Sequence, residues 1–159
     1  MINEQDRVYL RRCIELAASA LAAGDRPFGS VLVSADGKIL FEDRNRVASG
    51  DSTQHPEFAI ARWAAKSMSP EERAKATVYT SGEHCPMCSA AHGWAGLGRI
   101  VYASSSKQLR SWLSELGVPP GPVNPLPIND VIRDAVVDGP DKELAEQVRQ
   151  LHIQYYKLS

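Results

Sequence analysis

Residues 82–94, Gly-Glu-His-Cys-Pro-Met-Cys-Ser-Ala-Ala-His-Gly-Trp, hold two of the chain's three cysteines, with Glu83, His84 and His92 close by. Thiolates at i and i+3 in the first turn of a helix point the same way and sit at its positive end, which suits a metal ion or a reactive dithiol. Alone, Cys85-x-x-Cys88 leaves both open, because a redox motif beside a β-α-β pattern has the same spacing. Upstream, His55-Pro56-Glu57 opens another expected helix and offers an imidazole, a ligand type that zinc favours. His55, Cys85 and Cys88 would leave a fourth position for water, the pattern of a catalytic zinc site, and one Zn2+ per chain is expected. Glu57 stands two residues from His55, about 200° round an ideal helix, so it is free for acid-base work. Two thiolates offset much of the ion's charge and leave its water less acidic, which makes a nearby carboxylate base useful. Glu57 is that candidate base.

His92 offers a competing arrangement. Cys85, Cys88 and His92 lie at i, i+3 and i+7 on one helix face, and with His55 they would close a four-ligand structural site. That site would leave Glu57 without a role, so a non-catalytic zinc module ranks below the open site.

These residues need elements to place them. Leu10, Cys13, Ile14, Ala17 and Leu21 recur at helical spacing and predict a helix from Asn3 to Ala23, with Asn3 capping its start and Gly24 its end. Cys13 is read as a buried core thiol. Phe28 to Phe41 reads as a β-hairpin turning at Ala35-Asp36-Gly37. A helix is expected from His55 to Ser67, tolerating Pro56 in its first turn, and 76–81 reads as a buried strand. A helix from Cys85 or Pro86 to Leu97 should connect it to a strand over 99–104, forming a β-α-β unit with parallel strands. Residues 117–127, rich in Pro and Gly, read as a surface loop, and 134–138 as a last short strand. Leu144, Val148, Leu151, Tyr155 and Leu158 predict a closing amphipathic helix. The expected architecture is one α/β sandwich domain over 1–159, with mostly parallel strands after the hairpin.

Composition fits one domain: 159 residues, 43% hydrophobic and 23% charged, are enough for a single sizeable core. With 18 Lys plus Arg against 19 Asp plus Glu, the net charge of -1 lacks the basic excess that a phosphate backbone attracts, so nucleic acid is not expected as a partner. No stretch approaches the ~20 apolar residues of a membrane span, and no membrane partner is expected. The chain is read as complete and cytoplasmic.

His-x-Glu followed by Pro-Cys-x-x-Cys resembles the signature of zinc nucleobase and nucleoside deaminases, here as His55-Pro56-Glu57 and His84-Cys85-Pro86-Met87-Cys88. Pro27-Phe28-Gly29-Ser30-Val31 looks like the opening strand of guanine deaminases, and 78–103 is similar to their bacterial zinc segment, including Trp94. The likeness covers 7–104. It implies a cytidine deaminase-like three-layer α/β/α sandwich on a mixed, mostly parallel five-stranded sheet, acting as a homodimer. It implies that Asn45 and the Glu83 backbone carbonyl hydrogen-bond a small nucleobase, beside an aromatic wall such as Phe28 or Trp94. The guanine, cytosine or triazine type of substrate is preferred to adenosine in tRNA, because the tRNA-editing relatives carry basic residues where this chain is mixed in sign. Three departures stand out: His84 replaces a Pro, Pro56 replaces an Ala, and the Asn45 to His55 loop is one residue short. His84 is expected either to reach a substrate edge or to be a solvated or helix-capping imidazole, and the Glu83 side chain to be a solvated carboxylate.

Overall fold

The computed structural model describes residues 1–158. Helix α1 (Glu4–Ala22) begins with a capping box: the Asn3 side chain accepts from the Asp6 N–H, and the Asp6 carboxylate accepts from the Asn3 N–H. Gly24 follows its end at φ +86°, the left-handed backbone that glycine adopts without strain. Strands β1 (Gly29–Val33) and β2 (Ile39–Arg44) form the expected hairpin, with β2 continuing to Arg44 beyond the expected Phe41. A β-carbon at Gly29 would run into the Cys13 carbonyl and the Ala17 N–H. Only glycine lets α1 press so close to β1, and that contact fixes Phe28 and Ser30 on either side of it.

The sheet order is β2-β1-β3-β4-β5. Strand β1 is antiparallel to β2 and to β3 (Thr77–Gly82), whereas β3, β4 (Ile100–Ser104) and β5 (Val137–Asp138) are parallel, so four of the five strands run one way. The mixed, mostly parallel sheet is as expected, including the β-α-β unit through helix α4 (Pro86–Ala95). Strand β5 covers only the end of the expected 134–138, and Asp134 stands outside it with a left-handed φ of 58°.

Side chains alternate across the strands, which gives the sheet two cores. On one face Val31, Val33, Tyr79 and Val101 meet Leu10 and Cys13 of α1 and Leu144 and Val148 of α7 (Lys142–Leu158). On the other, Leu32 and Val78 meet Ile60 and Ala64 of α2 (Pro56–Ser67). These are the three layers. Cys13 is buried as expected. In α7 the stripe shifts: Leu151 and Tyr155 are half-buried and Leu158 is 81% exposed, while His152, at 1%, joins the core. Residues 117–127 are irregular, as expected. Three short helices were not expected: α3 (Pro70–Lys75), α5 (Ser106–Glu115) and α6 (Ile128–Val131).

Candidate metal centre and active site

His55, Cys85 and Cys88 converge although they come from different elements. His55 is the N-cap of α2, with an extended backbone, and Pro56 takes the first helical position, where no N–H is needed. Because His55 lies outside the helix, its separation from Glu57 is set by the bend at the cap, not by the 200° of a regular helix. Cys85 is the N-cap of α4 and Cys88 lies in its first turn, so both sulfurs sit at the positive end of that helix. The three ligand atoms lie within 4.8 Å of one another. His55 Nδ1 is 3.6 Å from each sulfur. A tetrahedral zinc with ordinary bond lengths holds its N and S ligands about 3.6 Å apart, so this donor set fits one zinc ion.

Cys85 is pushed down to about 4, first by the hydrogen bond from Cys88 and then by His55 against the effect of burial, while Cys88 is pushed up by that same bond and by burial. The bond with Cys85 raises His55 in spite of burial.

Glu57 is buried, and burial raises its pKa. Its Oε1 lies 2.8 Å from Ser30 Oγ and 3.0 Å from Thr80 Oγ1. The two hydroxyls are 2.9 Å apart, and Thr80 Oγ1 is also 2.9 Å from the Gly82 carbonyl. Two hydroxyl protons cannot fill four oxygen–oxygen contacts, and a proton on Glu57 fills a third. The same hydroxyls therefore orient the carboxyl in either protonation state. Ser30 and Thr80 were not singled out in the sequence; the available signal was a serine inside a strand that is otherwise wholly apolar.

The other expected residues divide. Asn45 is buried, its N–H bonded to the Phe28 carbonyl at 3.0 Å and its Oδ1 to the Val47 N–H at 3.1 Å, and no described residue accepts from its Nδ2. Phe28 packs edge-on against His152 at 5.0 Å. The Glu83 side chain is not a solvated carboxylate: Oε1 accepts from the Ser106 N–H and Oε2 from the Ile128 N–H, both at 2.9 Å, tying down the starts of α5 and α6. The Glu83 carbonyl accepts no bond among the described residues. Trp94 is 92% exposed and encloses nothing within the chain. His84 is neither solvated nor capping: it is 1% exposed, neither ring nitrogen has a partner, and burial pushes its pKa well down. His92 Nε2 meets the Gly98 carbonyl at 2.8 Å, and His92 stands outside the His55, Cys85 and Cys88 group, so the four-ligand site does not form. A groove of about 690 Å³ between α5 and the proline-rich loop has Glu83, Lys107 and Arg110 on its walls but none of the three metal-ligand candidates. Among the described residues no helix is long and apolar enough to cross a membrane.

Residues 3–104 match the profile described as the cytidine and deoxycytidylate deaminase zinc-binding region. The chain is 36% identical over 108 residues to a probable cytosine deaminase of Schizosaccharomyces pombe, covering 68% of this chain and 65% of that one. It is 39% identical over 98 residues to the guanine deaminase of Bacillus subtilis, covering 60% and 62%. The solved B. subtilis guanine deaminase structure superposes with a TM-score of 0.58 at 31% identity, covering 79% of this chain and 83% of that one. A tRNA-specific adenosine deaminase of Agrobacterium fabrum is 36% identical over 96 residues, covering 57% and 62%. The match thus spans less than two thirds of the length of each of these three curated sequences.

Proposed function

The chain belongs to the family of the cytidine and deoxycytidylate deaminase zinc-binding region, and from that premise we propose that it is a zinc-dependent hydrolytic deaminase of a small amino-bearing nucleobase or related heterocycle, of the guanine, cytosine or triazine type. The observation that carries this reading is the buried, hydroxyl-oriented Glu57 two residues from a His55, Cys85 and Cys88 set that fits one zinc. Bound zinc would supply an acidified water for attack on the carbon that bears the amine. Glu57 takes that water's proton and delivers protons to the ring nitrogen and the departing amine. Substrate and water thereby become a carbonyl compound and ammonia. Asn45 Nδ2, the free Glu83 carbonyl and Phe28 are the groups we assign to holding the base. A homodimer belongs to the same reading, supported by the exposed Trp94, which an adjoining subunit would cover, and so does a cytoplasmic location.

The 36% identity to a tRNA-specific adenosine deaminase favours a second reading, adenosine in tRNA. Against it stands the absence of basic excess, with a net charge of -1. Steady-state ammonia release from guanine, cytosine, a triazine, nucleosides and tRNA tests both. The free-base reading expects the highest kcat/KM on a free base. A higher value on tRNA, falling steeply with salt as counterion release demands, would replace it with the second reading.

A further inference from the structure

Three arginines carry a buried Nε without a hydrogen bond: Arg7, Arg26 and Arg73. Arg7 lies in ion pairs with Asp141 and Glu4, and Arg73 donates to the carbonyls of Met68 and Ala65. The Arg26 side chain has no hydrogen-bond acceptor and no carboxylate partner among the described residues. The carboxylate next to it in sequence, Asp25, is engaged by Arg44 and the Ala48 N–H. The Arg26 guanidinium lies 5.5 Å from the centroid of the Phe28 ring. Against the same ring stands His152, 1% exposed, with Nδ1 unpartnered. The Phe28 ring in turn lies against the end of β3, where a β-carbon at Gly82, the residue before Glu83, would stand 3.3 Å from Phe28 Cε1.

A half-buried guanidinium with an unbonded Nε loses hydration without recovering it in the protein, and an acceptor on a ligand would recover it. We infer that Arg26 is a specificity-determining residue whose fork takes the ring carbonyl of an oxo-substituted aminoheterocycle, together with a ring nitrogen that Glu57 does not protonate where the ring offers one, while Phe28 covers the ring. This rests on the free-base deaminase reading above. Two features favour that edge over a phosphate. A phosphate, with up to two negative charges, is ordinarily met by several cations or helix ends, whereas Arg26 is a single charge over the Phe28 ring, whose other neighbour is a His152 that burial holds neutral, its pKa pushed down to about 3. The planar fork also matches two acceptors in one plane, which a point charge does not.

The test compares zinc-loaded parent, Arg26→Met and Arg26→Lys in ammonia release from guanine and cytosine, which carry the carbonyl, and from 2,6-diaminopurine and adenine, which lack it. A bidentate contact to a base edge is worth roughly 10- to 100-fold. Arg26→Met should lose at least about tenfold in kcat/KM on the carbonyl-bearing bases, mainly through KM, and stay within about threefold on the others. Arg26→Lys should fall between, and calorimetric affinity for 8-azaguanine should drop with Arg26→Met by a similar factor. Equal losses on both classes, or loss of zinc or of melting temperature in Arg26→Met, would overturn the assignment and leave the deaminase reading standing. A loss confined to nucleoside 5′-phosphates would overturn the carbonyl edge in favour of a phosphate. No ammonia from any free base with the parent overturns the free-base reading itself, and this inference with it.

Discussion

Replacing Glu83 with alanine removes the carboxylate that accepts from the Ser106 N–H and the Ile128 N–H, both at 2.9 Å. Those donors open α5 and α6, and the neighbouring cap of α5, Ser105, already serves the Gln108 N–H. Nothing else described is placed to take them. Losing a side-chain acceptor at a helix start costs ~0.5–2 kcal/mol, so two such losses, softened by water reaching this half-buried site, come to about 2 kcal/mol. For a domain of this size that lowers Tm by about 4–8 °C. Glu83→Gln keeps one acceptor oxygen and should lose about half as much. The backbone carbonyl and the three metal-ligand candidates are untouched, so zinc content should not change. Paired thermal and urea melts at pH 7, with metal analysis on the same samples, read both quantities. A Glu83→Ala protein within about 0.5 kcal/mol of the parent would refute the double-capping argument.

Cys88→Ser and His55→Ala should lose the single zinc while His92→Ala keeps it; zinc lost from His92→Ala but retained by His55→Ala would point to the closed site instead. Asp6 is held at about 2: burial alone would raise it, but hydrogen bonds from Arg99, the Asn3 N–H and Tyr79 outweigh that. A lowered folded-state pKa contributes stability above the unfolded value near 3.8 and loses it as pH falls through 2, so urea stability should drop by at most about 2 kcal/mol over that window. Asp6→Asn should flatten this slope, and an unchanged slope would contradict the Asp6–Arg99 account.

The meeting of the three metal-ligand candidates was legible because its signals are local: His55-Pro56-Glu57 and Cys85-x-x-Cys88 fix residue types at helix starts, where capping geometry aims the side chains. Helices α1, α2 and α4 were legible by period and punctuation. Helix α3 went unread although Ser69 with Glu72 forms a capping box, because it buries no residue, whereas α5 did show a signal that was passed over, Leu109, Trp112 and Leu113 at helical spacing behind the Ser105 and Gln108 capping box. The fates of His84, His92 and His152 depend on what packs against them: each is a polar letter in sequence, yet each lies buried on aromatic or helical neighbours from elsewhere in the chain. Glu83 looked like a surface acid because its partners lie 23 and 45 residues away. Trp94 fitted the family's pattern but faces solvent, since the exposed side of a helix is decided by packing.

The central claim is that Glu57 shuttles protons for a zinc held by His55, Cys85 and Cys88. Its most direct test measures zinc stoichiometry and steady-state ammonia release in the same preparations of parent and Glu57→Gln, on the best free base. The account predicts one zinc per chain in both proteins and a turnover lower by about 10²-fold or more in the variant. Turnover within about threefold of the parent at full zinc occupancy would contradict it.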